Sequence, residues 1–251
     1  MQTNRPWPTL ATPPELAADE MHAWSIALDV SPEHYEELLT TLAPNEQRLA
    51  GSFRLEQPRQ TFVVARAALR TLLGAYLELE PSEIALGADG NQKPRLGAAH
   101  AASGLQFNVS HSGGLALVAV ARGCAVGIDV ERVRDVGGLD QIAQRYFHSS
   151  ENSALRQVAD GERNAAFLHC WTAKEAILKA VGTGILGDLA DFAVSVDAGW
   201  QGWVECADAT SADQRTKCWL ERLTPHDEYV AAIACVNSRR TIRTYSFSFP
   251  M

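Results

Sequence analysis

The sequence predicts an α+β protein built from two similar lobes. Strand-like and helical segments follow one another in the order strand, helices, strands, helices, strands, and the character changes near residues 120–130. This order is typical of an α+β chain rather than of a parallel α/β chain. The 251 residues, 46% of them hydrophobic, suffice for two lobes that each bury a core. We therefore expect an N-terminal lobe at 1–124 and a C-terminal lobe at 125–251.

The first half is predicted to alternate between strands, helices and loop. Its segments are a strand at 21–30, helical spacing over about 44–79, a Gly- and Pro-rich loop at 87–104, and strands at 105–112, 115–122 and 124–131. Pro58 is a favourable start for the longer helix, since its missing N–H is not needed in a first turn. Gly113-Gly114 between two strands predicts a hairpin, and the turn at Gly123 predicts a third strand in a meander.

The second half is predicted to begin with helices and to end with strands. Residues 138–182 have helical spacing and end at a Gly-rich stretch that is typical of a helix C-terminus. The strand-like segments that follow are FAVSVD at 192–197, GWVEC at 202–206, KCWLERL at 217–223, EYVAAIACV at 228–236 and TIRTYSFSF at 241–249.

Composition excludes several classes of protein. A net charge of −8 disfavours a nucleic-acid surface, which needs a basic face. No apolar run approaches the length of a membrane span, and the Pro-rich start has no signal-peptide pattern, so we expect a cytoplasmic protein without membrane contact. The five cysteines form no C-x-x-C pair, which predicts scattered reduced thiols and no structural zinc site.

Two acids end the strand VGIDVER. Asp129 and Glu131 are two residues apart, so a strand turns both side chains to the same side. Two neighbouring carboxylates repel each other unless they face water or hold a cation between them. Carboxylate oxygens are ligands that suit Mg²⁺. The strand therefore ends in a Mg²⁺ site or in two solvated acids.

A second candidate lies in WTAKEAILK, residues 171–179. On a helix, Trp171, Glu175 and Lys179 fall on one face. Glu175 and Lys179 could form an ordinary i,i+4 ion pair. Alternatively, Glu175 is a third metal ligand, and Lys179 lies beside a phosphate.

Two further stretches contain candidate phosphate-binding groups. Ser110 and His111 end an apolar strand in NVSHSGG, where a hydroxyl, an imidazole and turn amides could contact phosphate. The alternative is a polar hairpin end. Lys93 precedes a proline in QKPRL, which holds its backbone extended. It is either a phosphate-binding lysine or an ordinary solvated lysine.

The order and spacing of these motifs resemble the 4′-phosphopantetheinyl transferases. The matching motifs are K-P, F-N-x-S-H-S, G-I-D-x-E, and W-x-x-K-E-A with a following lysine and G-x-G. The chain is most similar to the larger Sfp-type group in its W-x-x-K-E-A variant, over about residues 44–196.

The resemblance implies a role for each candidate. Asp129 and Glu131 match the two metal-binding acids, and Glu175 matches a further metal ligand or the general base. Lys179 matches the lysine near the pyrophosphate. The remaining positions match coenzyme A contacts or offer further basic groups for its 3′-phosphate and adenine end: Arg48, Arg59, Thr61, Arg66, Lys93, Ser110 and His111. Where some relatives have a further lysine near position 45, this chain has Asn45.

The family's activity is the transfer of the phosphopantetheine arm of coenzyme A to a serine of an apo acyl or peptidyl carrier protein, with Mg²⁺. The resemblance further implies an active site in the cleft between two similar lobes. Because one chain contains both halves, we expect a monomer, whereas relatives of half this length assemble as trimers. A non-catalytic coenzyme A-binding module and a Mg²⁺-dependent nucleotide phosphohydrolase are the competing hypotheses.

Overall fold

The computed structural model describes residues 6–88, 94–182, 189–207 and 214–249. Its helices are α1 (Pro32–Thr40), α2 (Pro44–Ser52), α3 (Glu56–Leu77), α4 (Leu139–Tyr146), α5 (Ser149–Leu155) and α6 (Asp160–Val181). Its strands are β1 (Thr9–Leu10), β2 (Glu20–Ala27), β3 (Leu86–Ala88), β4 (Pro94–Leu96), β5 (Leu105–Ser112), β6 (Leu115–Arg122), β7 (Val126–Arg132), β8 (Gly202–Ala207), β9 (Arg215–Leu223), β10 (Tyr229–Val236) and β11 (Thr241–Phe247). The predicted α+β class is confirmed. No helix in the described segments is long and apolar enough to cross a membrane.

Two main sheets organise the chain. The first has the order β1-β11-β2-β6-β5, and the second has the order β7-β10-β9-β8. Strands β3 and β4 form a separate small ribbon. The last strand, β11, pairs in parallel with β2 and so belongs to the first sheet, although it comes from the second half of the chain.

Three hydrophobic clusters arrange these sheets in four layers. Helix α3 covers one face of the first sheet, and α6 covers one face of the second sheet. The two remaining faces pack against each other, through side chains such as Ala119 of β6 and Ile233 of β10. Strands β6 and β10 are therefore buried on both faces, which explains their continuous apolar runs.

The predicted hairpin and the predicted C-terminal end of α6 are confirmed, whereas the predicted three-stranded meander is wrong, because β7 belongs to the second sheet. Gly113 and Gly123 both have positive φ values, of 56° and 69°, at the turns on either side of β6. Helix α6 ends at Gly182, whose φ is 88°. Glycine adopts these left-handed conformations without the steric cost that a side chain would add.

Helix boundaries differ from the predictions in the first half. The predicted region at 44–79 is divided into α2 and α3, and α3 begins at Glu56, so Pro58 lies inside its first turn. Helix α1 was not predicted. It begins after Ser31, whose side chain accepts a hydrogen bond from the His34 N–H.

The strand predicted at 192–197 is wrong, because this segment is irregular. Its backbone groups bind buried charged side chains instead of a neighbouring strand. The Lys174 ammonium donates to the carbonyl oxygens of Leu189 (2.7 Å) and Phe192 (2.5 Å). The Val194 N–H donates to Glu151, which also pairs with Lys174 at 2.9 Å.

Candidate active site

The edge strands of the two sheets, β5 and β7, run side by side and are joined by side chains. The Asn108 amide oxygen accepts a hydrogen bond from the Ile128 N–H at 2.8 Å. Further along, the Ser112 hydroxyl donates to Glu131 at 2.7 Å. Polar side chains at every second position of β5 therefore satisfy groups on β7, and the site forms along this seam.

A close contact between β7 and α6 brings the lysine of α6 to this seam. A Cβ on Gly127 would lie 2.1 Å from the carbonyl oxygen of Ala176 and 2.4 Å from the amide nitrogen of Ala180. Only a glycine leaves room for the helix backbone at this distance. The glycine of the G-I-D-x-E motif thus sets the spacing between the strand and the helix.

Asp129 lies at the centre of the cluster. Its Oδ1 atom accepts hydrogen bonds from the Ser110 hydroxyl and from the Lys179 ammonium, both at 2.7 Å. The Lys179 ammonium also donates to the Ser110 hydroxyl at 3.0 Å. Lys179 therefore contacts Asp129 directly, which the i,i+4 ion pair considered from the sequence did not anticipate.

Asp129 has a buried oxygen that is available for a cation. The Asp129 Oδ2 atom is buried and has no hydrogen-bond partner. A buried charged oxygen in that state is costly unless a cation or a donor reaches it. Among the residues that the structure describes, no group of three His, Cys, Asp or Glu side chains is already arranged to hold a metal ion. Asp129, with Glu131 and Glu175 nearby, nevertheless fits Mg²⁺, which takes one or two carboxylates together with water and substrate phosphates.

The electrostatics of the cluster change the ionisation of Glu175. Burial raises the pKa of the Glu175 carboxyl, and the Asp129 and Glu131 carboxylates raise it further, whereas Lys179 lowers it. A raised pKa makes Glu175 a stronger proton acceptor than an ordinary glutamate. It also means that ionised Glu175 costs folding free energy when no cation is present.

His111 faces the other side of β5 from Ser110, because neighbouring residues of a strand point in opposite directions. It lies at the rim of a cavity of about 520 Å³ that Thr61 and Arg66 also line. Desolvation and the nearby Lys179 lower the pKa of the His111 imidazole, against the opposite effects of Asp129 and Glu131. The net effect favours the neutral form of the His111 imidazole in the free protein.

A buried ion-pair network holds Arg66 at the cavity wall. Arg66 donates to Glu46 at 3.2 Å, and the buried Arg70 donates to the same carboxylate at 2.6 Å. Glu46 also accepts a hydrogen bond from the Ala43 N–H at 2.9 Å. Sequence reasoning did not identify Glu46, although its place three residues after Ala43 matches the acidic position of a capping box.

The other predicted coenzyme A contacts are not all in this cavity. Arg59 pairs with Glu56 at 3.0 Å and lies over the Tyr35 ring, and Arg48 is exposed on α2. Neither is among the described residues that line the cavity. Lys93 lies outside the described residues.

A pH-dependent stability test examines the burial of Glu175. Replacing Glu175 by Gln should raise the melting temperature of the metal-free protein at neutral pH, because the variant no longer buries a carboxylate beside Asp129. Because the pKa of Glu175 is higher in the folded than in the unfolded state, the wild type keeps its full stability relative to the variant below the unfolded-state pKa. It loses that stability as the pH rises through the folded-state pKa. The gain should therefore shrink towards about pH 4. A pH-independent gain in thermal unfolding experiments would contradict this account.

Comparisons with known proteins agree with the sequence motifs. The 4′-phosphopantetheinyl transferase superfamily matches residues 125–234, and the family described as 4′-phosphopantetheinyl transferase, N-terminal, matches residues 27–123. Together the two matched regions cover both halves of the chain.

Two curated relatives match most of their own length. The 4′-phosphopantetheinyl transferase HetI of Nostoc sp. is 37% identical over 227 residues, which are 90% of this chain and 92% of the relative. The 4′-phosphopantetheinyl transferase Sfp of Bacillus subtilis is 25% identical over 222 residues, which are 86% of this chain and 93% of the relative. The crystal structure of Thermotoga maritima holo-[acyl-carrier-protein] synthase matches 46% of this chain and 65% of its own at 22% identity and a TM-score of 0.30, too low to compare folds.

These matches show that the protein is a transferase. The chain belongs to the 4′-phosphopantetheinyl transferase superfamily. The family and the enzyme class predicted from the sequence motifs are confirmed.

Proposed function

We propose that this chain transfers the 4′-phosphopantetheine arm of coenzyme A to a serine of an apo acyl or peptidyl carrier protein, with Mg²⁺, and releases adenosine 3′,5′-bisphosphate. The observation that carries the proposal is the cluster at the β5–β7 seam. There Asp129 has one oxygen paired with Lys179 and a second, buried oxygen without a hydrogen-bond partner, and Glu175 has a raised pKa. Family membership supports coenzyme A as the substrate and a carrier protein as the acceptor.

The cavity on the other face of β5 suits the nucleotide end of coenzyme A. Its volume of about 520 Å³ lies within the usual range of small-molecule sites. Arg66 offers positive charge for a phosphate, and Thr61 and His111 offer hydrogen bonds. The aromatic rings of Phe53 and Phe62 line the same cavity and provide apolar surface for a base.

Asp129, Glu131 and Glu175 would hold the Mg²⁺ ion. When bound, Mg²⁺ supplies Lewis acidity that neutralises charge on phosphate oxygens. Glu131 is held in place by the Ser112 hydroxyl, and Asp129 by the Ser110 hydroxyl. Glu175 has two candidate roles, as a third ligand of the ion and as the general base.

The residues of this chain then act on the serine and on the pyrophosphate. The Glu175 carboxylate accepts the proton of the attacking serine hydroxyl, for which its raised pKa suits it. The Lys179 ammonium donates to a phosphate oxygen and stabilises charge that develops on the leaving group. His111, on the cavity face of β5, offers a hydrogen bond to coenzyme A from the other side of that strand.

The test is a carrier-loading assay. The protein is incubated with coenzyme A, Mg²⁺ and an apo carrier, and the mass of the carrier is measured. We expect a gain of one phosphopantetheine, which should disappear when the divalent cation is chelated. Breakdown of coenzyme A with an unchanged carrier would favour the phosphohydrolase, and no reaction would favour the binding module.

The same preparation tests the proposed monomer and the ligand pair. Light scattering should give the mass of one chain, because one chain contains both sheets. Mg²⁺ and coenzyme A together should raise the melting temperature more than either alone, since ligands that bind only the folded state stabilise it. Equal melting temperatures with and without both ligands would count against the proposed site.

A paired substitution tests the cavity. Replacing Arg66 by Gln should raise KM for coenzyme A about 10-fold or more while KM for the carrier stays unchanged, because a charge-assisted phosphate contact contributes about 1.5–3 kcal/mol. Arg59→Gln is the matched control, because Arg59 pairs with Glu56 and is not among the described residues that line the cavity. Steady-state kinetics with varied coenzyme A give both values. An equal rise of KM for coenzyme A in the two variants would contradict a specific role of Arg66 in binding coenzyme A.

A further inference from the structure

Two buried thiols are in contact where the chain crosses between the two sheets. Cys124 lies in the turn before β7, and Cys235 lies near the end of β10. Their sulfur atoms are 2.9 Å apart, although the residues are 111 positions apart in sequence. The expectation of scattered thiols is therefore wrong for this pair.

The cysteine pair lies where the two chain segments that connect the sheets, β6–β7 and β10–β11, come together. The chain enters the second sheet between β6 and β7 and returns to the first sheet between β10 and β11. The Val236 N–H donates to the carbonyl oxygen of Ala125 at 3.0 Å, so the two crossings lie side by side. A covalent bond between Cys124 and Cys235 would join them.

The two thiols are chemically unequal. The Cys235 thiol donates to Cys124, and this contact, aided by Arg240, lowers the pKa of Cys124 to about 7. The pKa of Cys235 is raised for the complementary reason. Cys124 also retains 8% of its surface, whereas Cys235 is fully buried. Cys124 is therefore the thiolate that meets a reagent first, and Cys235 is the thiol that follows it.

Cys170 and Cys218 lack this combination. None of the five cysteines, all of which lie in described segments, is in a disulfide, and all are buried. The pKa of Cys218 is raised by its contact with Cys206 and by burial, and the pKa of Cys170 is raised by burial. Neither has the thiolate character that thiol–disulfide exchange requires.

We propose that Cys124 and Cys235 are a modification site that takes up oxidised glutathione or a similar small disulfide and becomes an intramolecular disulfide. The Cys124 thiolate attacks one sulfur of the small disulfide and releases one thiolate. Cys235 then loses its proton and attacks the Cys124 sulfur of the mixed disulfide, which releases the second thiolate. The cysteine pair loses two electrons and the small disulfide gains them. Because a disulfide bond is about 2 Å long, the sulfur atoms need little movement to form it.

The test counts thiols in the full-length chain. The reduced protein is exposed to oxidised glutathione, denatured, alkylated and analysed by intact mass and peptide mapping. We expect two protected thiols in a cross-linked pair of peptides containing Cys124 and Cys235, and dithiothreitol should restore all five alkylations. Cys235→Ser should instead accumulate glutathione on Cys124, because the second thiol is missing. Cys206→Ser is the matched control and should still protect the Cys124–Cys235 pair.

Two results would overturn the proposal. One is alkylation of all five thiols in the wild type after oxidation. The other is a protected pair that maps to Cys206 and Cys218. Both come from the wild-type protein, so they decide the proposal even if a variant does not fold. The readout does not involve carrier loading, so it is independent of the proposed function.

Discussion

Replacing Asp129 by Asn should lower kcat/KM for carrier loading by about 10²- to 10³-fold, the size of effect seen when one preorganised electrostatic group is removed. The substitution keeps the size of the side chain and can still accept from Ser110. It removes the negative charge that pairs with Lys179 at 2.7 Å and that would hold Mg²⁺. The substitution also removes the carboxylate charge beside the Lys179 ammonium, so the position of Lys179 over the substrate phosphates should change.

The control for Asp129→Asn is Glu228→Gln. Glu228 pairs with Arg132 at 2.9 Å near the end of β7, and both side chains are more than half exposed, so the pair contributes little. Kinetics of carrier loading and the melting shift with Mg²⁺ plus coenzyme A are measured on both variants. Glu228→Gln should retain the wild-type carrier-loading kinetics and the wild-type melting shift, whereas Asp129→Asn should lose both. Full activity of Asp129→Asn would reject the assignment of Asp129 to the metal site.

Replacing Gly127 by Ala should destabilise the protein by about 2–4 kcal/mol, within the range for strained or overpacked buried sites, and should also reduce carrier loading. The added methyl group would lie 2.1 Å from the Ala176 carbonyl oxygen and 2.4 Å from the Ala180 amide nitrogen. These are backbone atoms in the last two turns of α6, so they cannot rotate away. The helix must move off β7 and take Glu175 and Lys179 with it.

Gly161→Ala is the matched control for Gly127→Ala. Gly161 lies in α6, the helix that Gly127 contacts, and nothing is within 4 Å of a Cβ added to Gly161. Alanine at a helical position is favoured over glycine by about 1 kcal/mol, so this variant should be unchanged or slightly more stable. Urea unfolding gives the stability of both variants, and mass spectrometry of the carrier gives their activity. If Gly127→Ala has the same urea midpoint of unfolding as the wild type, the predicted destabilisation by the strand–helix contact is wrong.

The sequence motifs identified the acids and the lysine of the cluster, since the motifs that contain them have characteristic spacing. Asp129 and Glu131 lie on one side of β7, as a strand period predicts, and Glu175 and Lys179 lie one turn apart on α6. Local periodicity decides these relations, and so they are visible without coordinates.

Long-range contacts account for the residues that the sequence reasoning missed. Ser112 and Asn108 have roles only because β5 meets β7, and Glu46 is buried only because Arg66 and Arg70 reach it from another helix. The alternation of Asn108, Ser110 and Ser112 in NVSHS was a readable signal of a polar strand face. No local pattern told which strand that face would meet.

The amino-acid sequence by itself determined the α+β class, the family and the identity of the acidic cluster, because these depend on periodicity and motif spacing. The tertiary structure alone decided that Ser110 binds Asp129 while His111 lines a cavity with Arg66, and that residues 192–197 bind Lys174 and Glu151 instead of forming a strand. It also decided that β11 completes the first sheet and that Cys124 meets Cys235. Each of these contacts joins residues distant in sequence, and its free energy depends on burial that exists only once both partners are packed.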